Sequence, residues 1–279
     1  MPRRKVHVVI IDPQYDFMDN KDSALAVPKG NADMDRMATM IAKNGKKIAD
    51  IHVTLDSHQA FHIAHPIFWV NKQGKNPGPF TVITKDDVVN EIWTPSVSAL
   101  REHALFYTAQ LEAGKKYMHT IWNPHCLIGT RGHNVQVNLN DALQNWMTGE
   151  LALIDYVTKG SNYKVEHFGG LQAEVPLPDD PGTQLNTSLL GMLREADDIL
   201  VGGEAFSHCL KETVTQIADN IGEEHVKKIR LLKDCTTCIA KITDAAGNTI
   251  VDFPSITAEW VKKMERRGLV VTDSEAFWN

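Results

Sequence analysis

The residues best suited to chemistry in this chain fall just beyond short apolar runs. Val6–Ile11 leads to Asp12, inside Asp12-Pro13-Gln14-Tyr15-Asp16-Phe17. Asp50–Leu55 leads to Asp56-Ser57-His58, with His62 and His65 close behind. Tyr117–Ile121 leads to Trp122-Asn123-Pro124-His125-Cys126, and Leu151–Val157 leads to Lys159-Gly160. Asp198–Gly202 leads through Gly203-Glu204-Ala205-Phe206-Ser207-His208 to Cys209. In open parallel sheets, sites form beyond the carboxyl ends of strands. An acid, an acid–histidine pair, a histidine, a lysine and a cysteine at successive strand ends would therefore converge.

Each has a plainer reading. A lone cysteine is commonly a small buried hydrophobe. Cys209 differs because it opens a helical stretch, where unpaired N–H groups and the helix dipole favour a thiolate. Cys126 lacks that placement and reads as structural. Cys235 and Cys238 form an isolated C-x-x-C with no second pair, which reads as two packed thiols. A lysine is ordinarily solvated, but Lys159 follows an apolar strand. Burial beside Asp12 and Cys209 would let it stabilise a thiolate and a carboxylate together. Asp12 reads either as a turn cap or as a functional acid. Of twelve histidines, four lie between residues 52 and 65. Asp56-x-His58 can aim both side chains at one ion, His62 shares a face with His58 if the chain turns helical, and His125 follows the next strand. That mixed set suits Zn²⁺, with Fe²⁺ or Mn²⁺ as alternatives; otherwise a surface loop has simply collected histidines. His52 and His65 read as structural.

The elements that must position these residues alternate β-branched runs with helical stretches, the pattern of an α/β fold with a mostly parallel sheet. Lys228–Leu232 is a sixth strand candidate. Met34, Met37, Met40/Ile41 and Ile48 predict a helix after the first strand, with Asn31 or Asp33 as its cap. Phe206, Leu210, Thr213/Val214 and Ile217 predict another after the fifth strand. Further helices are predicted near Ser96–Glu112, Asn138–Thr148, Thr187–Arg194 and Thr257–Arg267, and a turn at Asp244-Ala-Ala-Gly247-Asn248. From Pro66 to about Gly114 the spacing between strands is too long for a crossover, so residues 66–114 read as an insertion over one domain spanning 1–279.

The 279 residues carry 29 Lys+Arg against 35 Asp+Glu, a formal charge of −6 that argues against a nucleic-acid partner. The Pro-Arg3-Arg4-Lys5 cluster reads as solvated surface. No apolar run approaches the roughly 18 residues of a membrane span, and Val6–Ile11 is too short for a signal core. A cytoplasmic protein with reduced thiols is expected, since four cysteines are too few for a disulfide framework.

Together the motifs resemble the nicotinamidase/pyrazinamidase branch of the isochorismatase-like cysteine hydrolases. The resemblance rests on Ile11–Phe17, Asp56-Ser57-His58, Trp122–Cys126 with Gly129-Thr130-Arg131-Gly132, Lys159-Gly160 and Gly203–Cys209, in that order over about 200 residues. It implies a three-layer αβα sandwich around a six-stranded, mostly parallel sheet. It implies a Cys209/Asp12/Lys159 triad that hydrolyses a carboxamide, nicotinamide first, through a thioester. Backbone N–H groups of Ala205 and Cys209 would form the oxyanion hole, after a cis Glu204–Ala205 bond. One divalent ion would be held by Asp56, His58 and His125, with His62 a candidate fourth ligand, and Phe17 and Trp122 would flank the substrate ring. Family members are often homo-oligomers, so that is expected too. The chain departs from the family at Ser57, at the displaced Pro124, and at Glu204 where an aliphatic residue is usual. The alternatives are a related hydrolase of another small amide or an isochorismatase-type substrate, and a non-catalytic binding protein on this scaffold.

Overall fold

The computed structural model describes residues 4–115, 117–243 and 247–279. The turn expected over 244–248 lies mostly outside them, as does Arg3. Six strands form the main sheet: β1 (Val6–Ile11), β2 (Ile48–Asp56), β3 (Ile154–Lys159), β4 (Asp198–Gly203), β5 (Ile229–Leu232) and β6 (Val270–Thr272). Their order is β6-β5-β4-β1-β2-β3, and every pairing is parallel. The longer helices are α1 (Gly30–Asn44), α2 (Arg101–Gly114), α3 (Val137–Glu150), α4 (Thr187–Glu195), α5 (Lys211–Asn220) and α6 (Phe253–Arg267).

Strands covered on both faces read as continuous apolar runs, and β1 is buried at every position. Its period of two sends Val6, Val8 and Ile10 into one core with Met34, Met37 and Ile41 of α1 and Leu139, Leu143 and Trp146 of α3. Val9 and Ile11 enter the opposite core, with leucines of α4, Val214 and Ile217 of α5 and Met264 of α6. The result is the expected αβα sandwich. Among the described residues no helix is long and apolar enough to cross a membrane.

Three expectations are corrected. Tyr117–Ile121 is not a strand of the sheet. The position beside β2 is taken by β3, and the 117–121 segment instead bonds antiparallel to residues 80–83, with Ile83 N–H donating to His119 O and Ile121 N–H to Thr81 O. The sixth strand is β6, only three residues long. The cap of α1 is Lys29, in left-handed conformation, so Asn31 and Asp33 fall inside the helix and Ile48 begins β2. Residues 66–114 carry a two-stranded ladder (Trp69–Val70 with Thr94–Pro95), a short helix at Lys85–Val89 and α2. Their apolar side chains, including Phe68, Trp69 and Tyr107, close a third core with Ile63, Ile121 and Val165.

Candidate active site

Parallel register brings the chemistry to the carboxyl edge of the sheet. Asp56 ending β2 lies directly beside Lys159 ending β3, and Ile11 of β1 beside Gly203 of β4. Gly203 has φ +125°, and a Cβ there would sit 2.1 Å from the Ile11 carbonyl oxygen. Only glycine lets β4 end so close to β1 before the chain turns toward Cys209. The Glu204–Ala205 peptide is cis, as the resemblance implied. A single π-helical turn, Phe206–Leu210, then runs into α5 and carries Cys209.

Lys159 is the hub. Its Nζ is 2.9 Å from Asp12 Oδ2, 3.1 Å from Asp56 Oδ1 and 3.8 Å from Cys209 Sγ, and it donates to the His167 carbonyl at 2.9 Å. Asp12 is wholly buried, with Thr54 Oγ1 donating to Oδ1 at 2.6 Å. Burial would push Lys159 down, but Asp12 and Asp56 outweigh it and hold the ammonium well above the ordinary lysine range. Burial pushes the Cys209 thiol well up; Lys159 opposes this, and the Asp12 and Asp56 carboxylates reinforce it. The resting group is a thiol. This corrects the thiolate expected from helix position, because Cys209 lies inside the helical run and faces two carboxylates. Burial raises Asp12 as well, against the pull of Lys159.

Beside this triad lies a cluster of imidazoles around one carboxylate. Asp56 Oδ2 is 3.1 Å from His58 Nε2 and 3.2 Å from His125 Nε2. Donor atoms of Asp56, His58 and His125 lie within 4.8 Å of one another, as do those of His58, His62 and His65. The structure thus gathers His65, which the sequence reading set aside. Metal-bound histidines typically donate their other N–H to a carbonyl or carboxylate. His58 Nδ1 faces Gly160 O at 3.1 Å, His125 Nδ1 faces Asn123 O at 2.8 Å, and His65 Nδ1 faces Ala60 O at 3.2 Å. Carbonyls only accept, so each of these rings when neutral carries its proton on Nδ1 and would offer its Nε2 lone pair to an ion; against burial, the Asp56 carboxylate draws His58 above the ordinary histidine range, and it also bonds His125 Nε2. His62 is reversed: its Nδ1 accepts the Ala64 N–H, so the neutral ring is protonated at Nε2. Among the described residues, the buried Nε2 atoms of His58, His62 and His65 have no hydrogen-bond partner; His58 touches Asp56 without hydrogen-bond geometry. Burial pushes His65 down to about 3, leaving it a neutral donor. Gly160 makes room for the cluster, since a Cβ would meet His58 Cε1 at 2.7 Å and Asp56 Oδ1 at 2.8 Å. Bare imidazole nitrogens with an ionised carboxylate are a fitting set for a borderline divalent ion.

Cys209 and Lys159 of the triad and Asp56 and His125 of the cluster open on one cavity, with about 460 Å³ of empty space including the solvent at its mouth. Phe17, Trp122, Phe168 and His208 line it, together with Cys209, Lys159, Asp56 and His125. Glu166 and His167 also line it and were not singled out from sequence. Glu166 Oε1 is 4.0 Å from His58 Nε2. They sit in a loop past β3, where no periodicity marks them; only their position just downstream of Lys159 was a signal. Chemically the site combines a thiol, a buried carboxylate, a fixed cation, a metal-type donor set and aromatic walls.

No protein-family model matches the chain, and no curated protein matches it in sequence. Solved structures do match. The yeast nicotinamidase Pnc1p bound to the inhibitor nicotinaldehyde is similar at TM-score 0.62 and 17% identity, over 96% of this chain and 99% of that one. The Acinetobacter baumanii nicotinamidase/pyrazinamidase matches at 0.57 and 18%, over 98% of each chain. The Pyrococcus horikoshii pyrazinamidase in complex with zinc matches at 0.56 and 18%, over 96% and 99%. At these identities the likeness is one of fold, and it extends along nearly the whole chain.

Proposed function

We propose that this protein is a cysteine amidohydrolase of small aromatic carboxamides, with nicotinamide as the first candidate, releasing nicotinate and ammonia. The observation that carries the reading is the packing of Asp12 and Cys209 around Lys159 beside the Asp56/His58/His125 donor set, with Cys209, Lys159, Asp56 and His125 lining one aromatic cavity. The nicotinaldehyde held by the yeast enzyme and the zinc held by the archaeal one support the same substrate chemistry and the same ion.

In this mechanism Asp12 takes the Cys209 proton as sulfur attacks the amide carbon. A buried carboxylate with a raised affinity for protons suits that task. The C–S bond forms, and the carbonyl electrons move to oxygen, opposite the backbone N–H groups of Ala205 and Cys209. Collapse breaks the C–N bond, and Asp12 returns the proton to the departing ammonia, leaving a thioester. Asp12 then takes a proton from water as it attacks and passes it to the Cys209 sulfur as the C–S bond breaks, so the acid leaves and the thiol is restored. Lys159 keeps Asp12 ionised between steps and balances the charge on sulfur. Phe17 and Trp122 flank the ring. Asp56, His58 and His125 would hold a divalent ion, which supplies a Lewis-acid contact for the ring nitrogen. For a fourth donor the tautomers favour His65 over His62. Ammonia release from nicotinamide, with Cys209→Ala as blank, tests the reading: release that vanishes in the variant supports it. No release, with Cys209 still alkylated rapidly, moves the substrate to another small amide.

A further inference from the structure

Glu204 is an acid where the resembled family has an aliphatic side chain, and nothing in the mechanism above uses it. It is fully buried and does not line the cavity. Its Oε2 accepts the Thr237 N–H at 3.3 Å, and the Thr237 carbonyl in turn accepts the Phe206 N–H at 3.0 Å. One residue of the segment after β5 therefore grips the chain on both sides of Ala205. Thr237 is itself tied down, its Oγ1 donating to Asp33 Oδ2 at 2.5 Å. Asp33 pairs with Arg36 of the same helix, and Arg36 Nε donates to the Asp234 carbonyl. The adjoining Cys235 carbonyl accepts the Gly203 N–H at 2.8 Å, which closes a ring of contacts back to the residue before Glu204.

We propose that Glu204 is a positioning residue: in its neutral form and through Thr237 it holds the Ala205–Cys209 turn in place. The charges around it argue for the neutral form. Arg36 is the one cation in the ring and is already matched by Asp33, while Asp19 adds further negative potential. An ionised Glu204 would be a buried carboxylate facing another, without a counter-ion. Burial first, and the nearby Asp33 carboxylate next, accordingly hold it well above the ordinary glutamate range.

The inference rests on the amidase reading for its consequence in turnover, so the test has two arms. Glutamine copies the neutral acid, its carbonyl accepting from the Thr237 N–H without bringing a charge. With nicotinamide as substrate, Glu204→Gln is expected to keep kcat within about 2-fold of wild type. Glu204→Ala is expected to lower kcat about 10-fold or more with KM little changed, since a displaced oxyanion donor acts on the transition state. An alanine variant with unchanged kcat overturns the proposal, as does a glutamine variant as impaired as alanine. If wild type releases no ammonia, the amidase reading fails on its own. Glu204 is then judged by iodoacetamide alkylation of Cys209, where the alanine variant should differ from wild type about 5-fold or more and glutamine should match it. Equal rates in all three proteins overturn the proposal. Should Glu204→Ala not fold, a glutamine variant that matches wild type supports the proposal, and one that does not overturns it.

Discussion

At the scale of single residues, Cys209 and its neighbours divide the work by environment. Burial and the nearby Asp12 and Asp56 carboxylates hold the proton on the thiol, so in the proposed mechanism Asp12 has to act before sulfur can. Lys159 keeps that arrangement affordable by facing both acids at once. Among the imidazoles, the partner of Nδ1 decides which ring offers a lone pair. His65→Ala is therefore expected to lower bound metal by at least about 10-fold in affinity, the scale on which such contacts count, whereas His62→Ala should leave stoichiometry near wild type. Metal analysis after dialysis against a weak chelator checks this; equal losses in both variants would refute the tautomer argument. The places of these residues were partly legible in the sequence. Asp12, Asp56, His58, Lys159 and Cys209 each close a recognisable run, so residue type plus strand end was enough. His65, Glu166 and Thr237 were not, because their places come from loop paths that no periodicity encodes.

At the scale of elements, the sheet was legible where strands are long and buried on both faces. VHVVII can hardly be anything else, and its neighbours repeat the pattern. The failures were at short or ambiguous segments. Tyr117–Ile121 has strand composition, yet its partner is the 80–83 segment brought by the insertion, and Val270–Thr272 is too brief to stand out from its surroundings. The junction of β1 and β4 makes a sharper demand. Gly203→Ala would put a methyl 2.1 Å from the Ile11 carbonyl at a left-handed φ, so the strands must part. A loss of more than about 2 kcal/mol is expected, read by urea unfolding, together with loss of turnover as Cys209 moves from Lys159. A fully stable Gly203→Ala would show that the two strand ends can separate without harm.

At the scale of the whole molecule, stability and site share groups, and pH exposes the link. Glu204 binds its proton more tightly folded than unfolded, where its value is the ordinary 4.5. Its contribution to stability is then fully present below about pH 4.5 and is lost as pH rises toward the folded value. Relative to wild type, Glu204→Gln should gain stability across that window, by up to about 1.4 kcal/mol per pH unit. Unfolding midpoints in urea from pH 5 to 9 measure it; a constant difference at every pH would mean Glu204 is ionised in the fold. A last consequence follows from where Lys159 sits. β3 is an edge strand, paired on one side alone, and most of its residues are partly or fully exposed, while its final residue is buried. Edges ordinarily fray from their ends. Here the far end is pinned by two carboxylates and the Cys209 turn, so amide exchange should slow from Ile154 toward Lys159, reversing the usual gradient. The reactive centre thus serves the sheet as a rivet on one of its open borders, and whatever empties the centre should loosen that border first.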